Sequence, residues 1–269
     1  MRGAKRFLLP SFAFFGYNFA FTMTAAFLPL LLKESGISHD LTGVLIAMHP
    51  LMLLICAVPF GMIGDRLSPR TAAISGLILI SAATFSITLC KGFSSFLAAL
   101  AFCGAGTALY QTNAGSLYFK SLGDTRRGVK LALFNSMAHI GYGGGPFLAG
   151  AIIAAGHGMR GAFAAAAVIF LPFALLTRAV PDAKPERFSP RLYIEDLRDR
   201  RKWFMLAVIF IYALHFGAEN VCYSLFLKYN CHIGEAGIGT VFLFIGLGLI
   251  PAAVTTGIIA DRAKRSDLL

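Results

Sequence analysis

Long apolar runs alternate with short basic loops along the whole chain. The runs cover roughly 7–32, 41–63, 71–90, 93–119, 129–155, 159–178, 203–228 and 237–260. About 20 residues cross the hydrocarbon of a bilayer at 1.5 Å each, and every run is near that length. Eight membrane-spanning helices are therefore expected, in an all-α polytopic membrane protein. Residues 64–70 form a tight turn between the second and third spans. The one long polar stretch, 179–202, holds Pro181, Pro185 and Pro190, then a charged run from Glu195 to Lys202. It reads as a linker ending in a short amphipathic helix. The organisation is a six-helix bundle over 1–178, a linker over 179–202, and two helices with a terminal turn over 203–269.

Composition supports this reading. The chain is 57% hydrophobic and 14% charged, more apolar than a soluble core of this size needs. The net charge of +11 would suit nucleic acid in a soluble protein. Its distribution points to topology instead. Of the 24 Lys and Arg, only Lys33, Lys91, Arg160 and Lys228 fall on the side opposite the N-terminus. Basic loops stay in the cytoplasm, so both termini and the linker are expected there, and nucleic acid is not expected as a partner. The expected location is the plasma membrane, the inner membrane of a bacterium. The first run, Phe7 to Leu32, is too long for a signal peptide and has no A-x-A site after it. The five cysteines form no C-x-x-C pair and read as lone thiols.

One motif occurs twice. Gly61-Met-Ile-Gly-Asp65-Arg66-Leu-Ser-Pro-Arg70 ends the second run, and Gly257-Ile-Ile-Ala-Asp261-Arg262 ends the eighth. A repeat of so long a period marks duplication of a large membrane unit. Each glycine lets a helix end approach a neighbour closely. Asp65 can cap or face the positive N-terminal end of a helix, while Arg66 and Arg70 hold the turn at the interface. A third segment, Gly141-Tyr-Gly-Gly-Gly145-Pro146-Phe-Leu-Ala-Gly150, puts four glycines and a proline close together in the fifth span, which favours bending and close packing.

On these segments the chain resembles a major facilitator superfamily transporter. The first turn is similar to motif A of the family, the second to its echo in the other half, and the fifth-span segment to motif C, which is associated with antiporters. The resemblance implies a 6+6 plan of which this chain carries the six-helix N-terminal bundle and the first two helices of the second. It therefore implies truncation after the eighth helix. It also implies that the turn at Asp65 packs on a helix after residue 269, while the turn at Asp261 meets helices of the first half. The activity implied is movement of a small solute, with protons, by alternating access and without a cofactor or metal. Efflux by proton antiport follows from motif C. The family's exporters carry an arginine in the fourth span, and Ala98–Thr107 has none, which keeps metabolite or sugar uptake as the alternative. A truncated, non-transporting membrane protein is the alternative of another class.

Ionisable groups within spans are costly and read as functional. Glu219, in the seventh span, is the one carboxylate of this kind, and His215 lies one turn earlier on the same face. The pair is the candidate for proton coupling. In the family the first, fourth and seventh spans line the substrate path. This favours Tyr17, Asn18 and Thr22, then Gln111 and Asn113, then Asn220 as cavity residues. His49, just before Pro50, reads as structural. No P-loop, H-E-x-x-H or G-x-S-x-G motif is present, so enzymatic and ATP-driven chemistry have no support.

Overall fold

The computed structural model describes residues 2–66, 68–122, 127–182 and 200–262, and every element in it is helical. The first span is α1 (Arg2–Ala25) continued by α2 (Leu28–Glu34). Then come α3 (His39–Arg66), α4 (Pro69–Ile87), α5 (Phe93–Ser121), α6 (Arg127–Ile152), α7 (Gly158–Thr177), α8 (Arg200–Tyr229) and α9 (Glu235–Arg262). Seven helical stretches are long and apolar enough to cross a membrane. One of them, Arg127–Thr177, has 51 residues. At 1.5 Å per residue that is about 75 Å, more than twice a ~30 Å hydrocarbon core. It is broken at Gly156 and Gly158, with φ of +93° and +67°. These backbone conformations are open to glycine and strained for other residues. The stretch is thus long enough to cross twice, as α6 and α7 joined by a turn at Ile153–His157, and helices stand at each of the eight apolar runs.

Within the first bundle, α1 packs on α6 and α7, α4 on α5 and α7, and α3 on α5. The main apolar core gathers at the end away from the basic loops. It contains Phe27, Leu30, Leu32, Leu45, Phe96 and Phe163, and draws in Leu227 of α8 and Ile238 and Phe242 of α9. Three of the four basic residues on that side stitch it together. Arg160 donates to the carbonyls of Thr88 and Cys90 at the end of α4, where the helix dipole favours a cation. Lys33 lies 3.3 Å over the Tyr229 ring, a cation–π contact between α2 and α8. Lys228 pairs with Glu235 across the α8–α9 turn. All five cysteines are free.

On the basic side the linker begins at a defined anchor. Ser68 accepts from the Thr71 N–H at 3.1 Å and donates to Asp182 Oδ2 at 2.6 Å, and the Arg70 N–H reaches Asp182 Oδ1 at 3.3 Å. Pro69 occupies the first turn of α4, where its missing N–H costs nothing. Ser68-Pro69, where motif A has Gly-Arg, is therefore a working helix start. Ser68→Ala is expected to cost about 1 kcal/mol, read as a melting temperature lower by about 2–4 °C in detergent. Residues 183–199 of the expected linker lie outside the described residues.

The last two helices differ in burial. α9 lies along the whole of α6, whereas the main helix contacts of α8 are small ones with α2 and α9, and none of the most apolar window of Lys202–Tyr229 is buried.

Candidate functional site

A cavity of about 490 Å³ opens between the first bundle and α8. Tyr17, Asn18, Phe21, Thr22 and Thr24 of α1 form one wall, and His49 and Pro50 of α3 with Cys103 and Gln111 of α5 form another. Tyr142 of α6 and Ala213 and Gly217 of α8 close it. Four of the six residues expected to line a cavity do so: Tyr17, Asn18, Thr22 and Gln111. They meet there because α1 and α5 both face the centre of the bundle, and each places successive polar residues one turn apart.

A hydrogen-bonded network runs through this wall. Gln111 Nε2 donates to the Tyr17 hydroxyl at 3.0 Å, and His49 Nε2 is 3.0 Å from Thr107 Oγ1. Thr107 is fully buried and also meets the Tyr17 hydroxyl. Helices α1, α3 and α5 are thus linked by neutral side chains. Thr22 Oγ1 lies 2.7 Å from the Asn18 carbonyl and 3.2 Å from the Gly141 carbonyl, tying α1 to α6. An aromatic surface accompanies the network. Phe21 stacks on Tyr17 at 5.7 Å and sits 5.0 Å from the His49 ring.

Three expectations need correction. Asn113 does not line the cavity. Its amide donates to the Phe60 carbonyl at 3.3 Å and its side chain fills the space over Gly64, so it locks α5 to α3. His49 faces the cavity as well as packing, since its ring bonds across to α5. Gly61 provides no close approach, as nothing lies within 4 Å of a Cβ added there. Among the described residues no helix crosses at Gly61, and the tight contact on α3 has moved one turn on to Gly64. The side chain of Asn220 lies outside the described residues. Tyr142 was missed because its ring is positioned by α6–α1 packing, which no local pattern encodes.

His215 and Glu219 do form a pair, with Nε2 and Oε1 3.3 Å apart. Their side chains are 69% and 54% exposed, because α8 lies open along this face. At about 100° per residue they point away from Ala213 and Gly217, the α8 residues on the cavity.

The two copies of the repeated turn behave differently. Asp261 Oδ1 accepts from the Gly128 N–H at 2.8 Å and Oδ2 from the Val129 N–H at 2.9 Å. It therefore caps α6, with a carboxylate at the positive end of the dipole. Gly257 permits this, since a Cβ there would lie 2.6 Å from the Gly128 carbonyl oxygen. Arg262 is exposed at the helix end. Among the described residues Asp65 has no hydrogen-bond or ion-pair partner and Arg66 is exposed, while Arg70 reaches the carbonyls of Arg178 and Val180 at 3.4 Å.

The glycines of α6 serve two faces. A Cβ on Gly141 would meet the Phe15 carbonyl at 2.7 Å, and one on Gly145 the Phe19 carbonyl at 2.2 Å. That face is laid against α1. Gly150 touches the Glu235 backbone, and the Pro146 carbonyl lies 2.5 Å from a Cβ on Gly239. That face is laid against α9, where Gly143 and Gly246 also meet.

Residues 11–269 match the family described as Major Facilitator Superfamily. No curated protein sequence matches the chain. Solved structures give the same fold. A proton-dependent oligopeptide transporter is 16% identical, with a TM-score of 0.62 over 93% of this chain and 53% of that one. A bacterial homologue of the human drug peptide transporters is 17% identical, with a TM-score of 0.61 over 96% and 56%. A peptide transporter in complex with sulfate is 19% identical, with a TM-score of 0.57 over 93% and 50%. The chain spans about half the length of these transporters.

Proposed function

Because the chain belongs to the major facilitator superfamily, we propose that it works in secondary active transport of a small solute by alternating access, with the 490 Å³ cavity as the solute site. The observation that carries this reading is the convergence of α1, α3, α5, α6 and α8 on one largely apolar space with a few polar side chains, at the interface between the two halves of the plan, where such transporters bind their solutes. The direction we assign is efflux with proton exchange. The glycine-rich α6 supports the direction, and the His215–Glu219 pair within the span α8 supports the coupling. The protein sits in the plasma membrane with both termini in the cytoplasm, the orientation its basic loops favour.

Flux tests the coupling. With a pH gradient across vesicles, Glu219→Gln is expected to lower gradient-driven accumulation by about tenfold or more while leaving solute binding intact, the signature of a lost proton carrier. Equal accumulation in variant and wild type would remove Glu219 from the role.

One observation favours a second reading, a membrane protein that does not transport unaided. The open face of α8 leaves a charged pair uncovered at bilayer depth, where ionisable groups normally face protein or water. Gradient-independent, non-saturable flux in vesicles holding only this chain would support it.

A further inference from the structure

Resting on the reading of the cavity as the solute site, we infer that the half of the site built by this chain takes a neutral ring-shaped solute group with an apolar face and hydroxyl or amide groups at its edge. Among the described residues lining the cavity there is no Asp, Glu, Lys or Arg. The one carboxylate of α8, Glu219, is turned away and paired with His215. A charged group placed against this wall would give up its water and meet no opposite charge, which is costly at low dielectric. A neutral group gives up far less.

The hydrogen-bonding groups on offer fit the same class. Asn18 uses one amide N–H on the Phe14 carbonyl at 2.8 Å, and Gln111 uses one on Tyr17. Each carboxamide keeps a second N–H and a carbonyl oxygen. A donor and an acceptor side by side with no net charge match a hydroxyl or an amide. An anion needs donors alone and a cation acceptors alone, so neither is well served. Beside these amides the half-buried ring of Phe21, backed by the buried Tyr17 ring at a 13° interplanar angle, gives a flat apolar surface for one face of a ring.

The test is equilibrium binding to the full 269-residue chain in lipid nanodiscs, with two pairs of related solutes that differ in charge. They are phenyl β-glucoside against phenyl β-glucuronide, and uridine against uridine monophosphate. A neutral member is expected to bind about tenfold or more tightly than its charged partner, a difference of about 1.4 kcal/mol. Asn18→Leu and Gln111→Leu are each expected to weaken that binding by about fivefold or more, through the unpaired polar edge left on the solute. Gln111→Glu keeps the shape of the wild-type side chain. It is expected to weaken neutral binding at an unchanged melting temperature, which separates loss of recognition from loss of fold. Equal or tighter binding of a charged member, or binding of none of the four, overturns the inference. Flux of the same solutes separates the two readings. A neutral solute that binds and is not moved defeats the transport reading alone, and a charged solute that is moved defeats the neutral-solute inference alone.

Discussion

Replacing Gly145 by leucine is expected to leave no monodisperse folded protein in detergent, while Gly61→Ala leaves the yield unchanged or slightly raised. At Gly145 even a Cβ would lie 2.2 Å from the Phe19 carbonyl oxygen and 2.5 Å from Thr22 Oγ1. The first obstacle is backbone, which cannot rotate aside as a side chain can. Helices α1 and α6 would have to separate along their crossing. That would also break the Thr22 to Gly141 contact and open the aromatic stack between Phe14 and Phe134, whose centroids are 4.3 Å apart. Overpacking in a core costs about 1–3 kcal/mol when neighbours can adjust. Here two helix backbones are in contact and the cost is expected at or above the top of that range. In a bilayer, close packing of helices is a main source of association energy because lipid tails compete with apolar side chains. Gly61 has open space around it, and alanine there gains helix propensity of about 1 kcal/mol or less. Size-exclusion chromatography of the two variants, expressed side by side, decides the matter. A monodisperse Gly145→Leu protein would show that α1 and α6 do not cross as described.

Asp261→Ala is expected to lower stability by about 2 kcal/mol, and Asp65→Ala to leave it within about 0.5 kcal/mol of wild type. The two aspartates hold the same place in the same motif. Asp261 receives two backbone N–H groups of the first turn of α6, and each of these charge-assisted bonds is stronger than a neutral one. Removing the carboxylate leaves those donors to water and removes a favourable charge from the helix dipole. Among the described residues Asp65 has no such partner. The measurement is the thermal unfolding midpoint in detergent, where about 2 kcal/mol corresponds to a fall of roughly 4–8 °C for a protein of this size. Asp261→Asn retains one acceptor oxygen and is expected to fall between. Equal effects of Asp261→Ala and Asp65→Ala would mean that the α9–α6 contact carries no energy.

Most of the fold was legible from hydropathy because the bilayer restricts the solutions. A spanning apolar run must satisfy its own backbone, so it is a helix. Span positions followed within a few residues. The α6–α7 boundary was also visible, since Gly156, His157, Gly158 and Arg160 interrupt a mostly apolar stretch. The cavity was legible in part. Tyr17, Asn18, Thr22 and Gln111 are polar residues in apolar helices that share the inner face, and polarity at that depth carries information. Asn113 carried the same signal and went elsewhere, because a carboxamide can be satisfied by a neighbouring backbone as well as by a cavity. His49 and Tyr142 reach the cavity through packing angles that no periodicity records.

The sequence by itself determined the membrane class, the spans, the bias of charge to one side, the duplicated turn and the family, because each depends on residue types at short range or on a repeated string. Only the tertiary structure decided what the repeated turn does. Gly257 and Asp261 dock on α6, and among the described residues Gly61 and Asp65 dock on nothing. Helix capping and close approach are relations between two elements, and the string that supplies one partner carries no information on whether the other is present.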